Sequence, residues 1–152
     1  MSEVPAGVRA AARRDLLNEV RAIYRKADAA WAPWSCPASG DCCQLAVTGR
    51  EPWLYAGEWE VLREAFGARP LPPARGDGAC PFLDASGRRC GVYAHRPFGC
   101  RTYFCDRVRG PGRQPAEVAD ALLRRLDAAH RAHDHAAEPR PLKAWHADAQ
   151  QA

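Results

Sequence analysis

The strongest periodic pattern lies in the first third of the chain. Leu16, Leu17, Val20, Ile23, Tyr24 and Ala27 recur at steps of three and four, with charged positions between them. That spacing predicts a helix with one buried face. It is expected to start after Pro5 and fade near Trp31, because Pro33 forbids a clean continuation. A second stripe, Val118, Leu122, Leu126 and Ala129, predicts a helix from Pro115 to about His133. Pro115 suits the first helical position. A short helix is expected over Glu58 to Phe66, with Gly67 as its stop.

Between these helices the pattern shortens. Gln44 to Val47 reads as a short strand, and Trp53, Leu54 and Tyr55 as a second strand or a turn. Cys80 to Asp84 and Cys90 to Tyr93, joined by Ser86-Gly87-Arg88-Arg89, read as a small hairpin. Residues 68–79 form a Pro-, Gly- and Ala-rich connection. From Ala136 onward a loosely ordered tail is expected, docked by Trp145. The expected fold is therefore small α+β. Helices flank a loop-rich, cysteine-bearing centre with short strands. A single domain is expected over 1–135, with a tail over 136–152.

Composition keeps this a globular reading. The 152 residues are 47% hydrophobic and 26% charged, enough for one modest core and too apolar for wholesale disorder. No run of 18 apolar residues exists, so no membrane-spanning helix is expected. The opening Met1-Ser2-Glu3-Val4-Pro5 lacks the apolar core of an export signal, which points to the cytoplasm. The net charge is +4, and of the 22 basic residues only Lys26 and Lys143 are lysine. The excess concentrates in 88–113, where Arg88, Arg89, Arg96, Arg101, Arg107, Arg109 and Arg113 face Asp106 alone. A nucleic-acid surface usually interleaves such charge with aromatics on one face, so nucleic acid is disfavoured as a partner.

Seven cysteines change the picture: Cys36, Cys42, Cys43, Cys80, Cys90, Cys100 and Cys105. Each sits in a loop-like, Gly- or Pro-rich context, and none lies on a helical stripe. That argues against buried filler. The odd count and the missing export signal argue against a disulfide scaffold. What remains is a thiolate metal site, and soft thiolates select zinc, copper(I) or iron–sulfur clusters. No C-x-x-C pair occurs, so neither a zinc ribbon nor a thioredoxin-like dithiol fits. The Arg-rich stretch would offset thiolate charge.

The order of motifs resembles the YkgJ-type CxxCxxCC cysteine-cluster family, described as zinc- or iron-chelating. The resemblance rests on Cys36, Cys42 and Cys43, then Cys80-Pro81-Phe82-Leu83, then Cys90-Gly91-Val92-Tyr93-Ala94-His95-Arg96-Pro97, then Cys100-Arg101 and Cys105. It spans 36–106. The chain departs from the pattern at Ser39, which stands where the family carries a cysteine. Serine is a poor zinc ligand because its hydroxyl resists deprotonation. The resemblance implies metal binding through the cysteines.

Sequence clustering ranks Cys90, Cys100 and Cys105 first as ligands, then Cys36 with one of Cys42 or Cys43, then Cys80. An extended pair points its side chains apart, so Cys42 and Cys43 are not expected on one zinc, although a cluster or two-metal site could use both. Arg96 and Arg101 are expected to hydrogen-bond sulfur or fix the loop. Tyr93 is expected in the core and His95 as an auxiliary ligand. His130, His133 and His135 read as a solvated helix end, where cations meet the dipole favourably.

Two other function classes stay open beside the metal-binding protein. The cysteine module also resembles a region of bacterial flagellin lysine methylases, which would make the chain a metal-dependent enzyme or enzyme subunit. However, no G-x-G-x-x-G loop occurs, and Asp84 and Asp106 are isolated carboxylates. The third class is an Arg-rich binding module with structural zinc, which leaves a protein partner open.

Overall fold

The computed structural model describes residues 2–36, 40–102 and 110–152. In it, α1 (Ala6–Trp31) is followed by a 3-10 turn (Asp41–Cys43), α2 (Leu45–Thr48), β1 (Trp53–Leu54) and α3 (Ala56–Arg63). A second 3-10 turn (Tyr93–His95), α4 (Phe98–Arg101), α5 (Ala116–His133), β2 (Arg140–Pro141) and α6 (Leu142–Gln151) complete the order. The fold is small α+β, mostly helical, with one short antiparallel ladder that pairs Trp53 with Pro141 and Leu54 with Arg140. The three longer predicted helices are present. The hairpin over 80–93 contracts to a single antiparallel bridge between Leu83 and Cys90.

Three expectations need correction. The run Gln44 to Val47 is no strand; residues 45–48 form the single helical turn α2. Gly49 ends that turn at φ +66°, a conformation glycine adopts freely. The tail is not loosely ordered. Leu142, Trp145, His146 and Ala149 mark the packed face of α6, and Leu142 and His146 are buried. Trp145 does dock it: its indole Nε1 donates to Leu54 O across 2.9 Å, and its ring stacks on Trp59 at 6.2 Å. Finally, the α5 stripe is shorter than predicted, since Leu122 and Leu126 are buried but Val118 is 41% exposed.

Two apolar clusters share α3. One gathers Leu16, Val20, Ile23, Tyr24 and Ala27 of α1 with Tyr55, Val61, Phe98, Leu122 and Leu126. The other gathers Leu45, Leu54, Trp59, Leu62, Phe82, Val92 and Leu142, with Cys80 inside it and Cys43 and Cys90 on its flank. Glu58 sits where the clusters meet and is 1% exposed. Its Oε2 accepts from Tyr55 N at 2.9 Å, the return half of a capping box at the start of α3. Its Oε1 accepts from Phe98 N at 2.8 Å and from the Tyr24 hydroxyl at 3.0 Å. One carboxylate thus ties α1, α3 and α4 together.

Candidate metal centre

Three chain segments carry cysteines to one place. The first carries Cys36 and, in the 3-10 turn Asp41–Cys43 entered through Gly40 at φ +75°, Cys42 and Cys43. A Cβ on Gly40 would stand 2.9 Å from the main chain of Gly87 and Arg88, so this loop packs backbone to backbone against the turn at 84–90. In that turn, Asp84 Oδ1 accepts from the Ser86 hydroxyl and from the N–H groups of Arg88 and Arg89. The second segment runs from Cys80 to Cys90. Its Cys80 N–H donates to Cys43 O across 2.8 Å, locking the first two segments edge to edge. The third is α4, which presents Cys100.

Cys36, Cys42, Cys43, Cys80, Cys90 and Cys100 all line one cavity of about 1080 Å³. Cys105 and Ser39 lie outside the described residues. The expectation that Cys42 and Cys43 point apart does not apply, because the pair is not extended. A 3-10 turn rotates successive residues by roughly 120°, and both thiols reach the same cavity. Cys43 is the middle of a trio, with its thiol hydrogen-bonded to those of Cys42 and Cys90.

The electrostatics differ across the set. The hydrogen bond from Cys43 lowers the Cys42 thiol to about 6 and the Cys90 thiol to about 7, against burial and with help from the Arg96 guanidinium. Its hydrogen bonds with Cys42 and Cys90, together with burial, push Cys43 up. Burial pushes Cys80 up to about 11, and it pushes Cys100 up as well. Two ready thiolates therefore face a partner that keeps its proton.

The predicted arginines divide. Arg96 lines the cavity, with its guanidinium 3.7 Å from the Tyr93 ring centroid and its Nε donating to Tyr93 O at 2.9 Å. Arg101 makes no hydrogen bond to sulfur among the described residues. It is buried, and its guanidinium donates to Arg96 O, Ala94 O and Asp28 Oδ2, each at 2.7 Å, while lying over Tyr24. It clamps the second 3-10 turn onto α1 and so places Arg96. Tyr93 is 54% exposed and lines the cavity, which corrects its assignment to the core. His95 does not line the cavity. His130 is no solvated end but a buried bridge: its Nδ1–H donates to Leu126 O at 2.8 Å and its Nε2 accepts from Gly57 N at 3.1 Å. Sequence reasoning missed Arg50, Glu51 and Trp53 as lining residues. Their only signal was nearness to the adjacent cysteines.

The donor set fits a soft centre by its chemistry, since six thiols share one cavity with cationic neighbours. As they stand, no three Cys, His, Asp or Glu side chains among the described residues close on a point that would hold an ion. A small domain with thiols from three segments around one cavity is a cysteine-cluster protein. Residues 35–110 match the CxxCxxCC family model, described as "Putative zinc- or iron-chelating domain". The chain belongs to that family. No curated protein and no solved structure matches it. No helix among the described residues is long and apolar enough to cross a membrane.

Proposed function

We propose that the protein holds a zinc ion or an iron–sulfur cluster on thiolates drawn from Cys36, Cys42, Cys43, Cys80, Cys90, Cys100 and Cys105. The observation that carries this is the meeting of six cysteines from three segments on one cavity. The Cys42–Cys43–Cys90 trio is the nucleus, because two of its thiols are poised to ionise. Cys80 and Cys100 sit in more apolar surroundings and complete the set as it closes on the metal. Reduced thiols are required as ligands, so the reading carries a cytoplasmic location with it.

Anaerobic purification separates the two metals. A cluster gives brown protein with broad visible absorbance. Zinc gives colourless protein with stoichiometric metal by atomic emission. Protein that holds neither, and takes up neither on reconstitution, overturns the proposal.

A further inference from the structure

The cysteine cavity is larger than a metal centre needs. Its volume of about 1080 Å³ lies just above the range of small-molecule sites, roughly 300–1,000 Å³. One ion or one cubane fills a small part of that. Among the described residues the remaining wall is cationic: Arg50, Arg88, Arg89 and Arg96 line it, with Glu51 as the carboxylate. Glu51 is itself engaged, its Oε1 accepting from Lys143 N at 2.7 Å. Zinc with four thiolates carries two negative charges. Arg88, Arg89 and Arg96 place three guanidinium groups on the wall beside those sulfurs.

The backbone that carries Arg88 and Arg89 is held in place, and so is the Arg96 side chain. Arg88 and Arg89 project from the turn that Asp84 fixes through their own N–H groups. Arg96 is braced on the face of Tyr93 and by the Tyr93 carbonyl through Nε. Neither brace uses its two terminal nitrogens. Beside them, the exposed aromatic side chains of Trp53 and Tyr93 line the same cavity.

We propose that the cavity binds a small organic oxyanion, a carboxylate or a phosphate ester, on Arg88, Arg89 and Arg96 beside the thiol-bound metal. The planar donor fork of arginine matches both oxyanions, and the aromatic rim takes the organic part. This rests on the metal reading for the charge already present in the cavity, and it assigns the substrate or ligand class of the same site.

The test uses the full chain as purified, with metal content measured in every sample. Inorganic phosphate and, separately, malonate are titrated calorimetrically at low salt. Saturable binding of one anion per chain is expected. It should weaken at least five-fold in Arg88→Gln/Arg89→Gln and about ten-fold in Arg96→Gln. Arg124→Gln, whose side chain lines the separate cavity beside α5, should bind as the wild type does. Preference for phosphate or for malonate identifies which oxyanion the site favours. Metal-containing protein that binds neither anion saturably overturns the proposal, as does equal affinity in the Arg88/Arg89 double variant. Anion binding by a chain shown to hold no metal upholds this site and overturns the metal reading instead.

Discussion

The backbone N–H of Gly57 donates to Nε2 of His130 across 3.1 Å, joining the first turn of α3 to the last turn of α5. With Nδ1–H committed to Leu126 O, the ring must be neutral to accept that bond. Burial accordingly lowers the ring below its ordinary value of 6.5. The neutral ring is favoured in the fold, so its stabilisation is complete above that value. It is lost as pH falls from there through the folded value. Urea unfolding should show stability declining as pH falls below about 6.5, and His130→Gln should flatten that decline while costing about 1–3 kcal/mol at pH 7.

The same approach leaves no room at Gly57. A Cβ there would lie 2.6 Å from His130 Nε2. Gly57→Ala should destabilise by about 1–3 kcal/mol through overpacking, read as a lower melting temperature. An unchanged melting temperature would show that α3 and α5 can separate freely.

Glu58 organises a second junction. Burial raises its carboxyl above the ordinary value, while the N–H groups of Phe98 and Tyr55, the Tyr24 hydroxyl and the Arg101 charge oppose that rise. Removing the acceptor orphans two buried backbone donors, at about 1–3 kcal/mol each. Glu58→Ala should therefore cost more stability than Glu58→Gln, which keeps one acceptor oxygen. Chemical denaturation of the two variants measures the difference.

Gly40 sets the depth of the first cysteine turn. Its φ of +75° and the 2.9 Å approach to Arg88 both exclude a side chain. In Gly40→Ala the Cys42–Cys43 turn must lift away from the 84–90 turn. Metal content per chain should fall along with thermal stability, and retention of full metal content would count against the role given to this contact.

Chelation tests the link between metal and fold. Cys80, Cys43 and Cys90 belong to or flank the second apolar cluster, so a metal drawn onto them braces that cluster. Verified metal removal should lower the melting temperature. Single Cys90→Ser, Cys100→Ser and Cys105→Ser changes should each reduce metal content by half or more. If none of the three does, the ligand ranking fails.

Much of the helical frame was legible because its signals are local. The apolar steps of α1 and the Pro33 stop fall within or beside the element they describe, as does the short apolar run Trp53-Leu54. The α6 helix was legible in principle. Leu142, Trp145, His146 and Ala149 keep helical spacing after Pro141, but His146 in the apolar stripe hid it. That histidine is buried because its Nε2 finds Pro72 O at 2.7 Å, a partner far along the chain. The run at 44–47 was ambiguous because a short apolar stretch suits either element. The cysteine motifs were plain in the sequence; their meeting was not. It depends on Gly40 against Arg88 and on Cys80 N–H to Cys43 O, contacts that spacing does not encode.

The four residues of α4 divide their duties. Phe98 fills the first apolar cluster, Gly99 lines both cavities, Cys100 faces the thiols, and Arg101 plugs into α1. The position of a sulfur is thus inherited from helices that carry no cysteine. Drift at the α1–α5 contact reaches Cys100 through one short turn, so selection for metal preference can act on residues far from any ligand. Variants that exchange one metal for another are to be sought on those helices as well as among the cysteines.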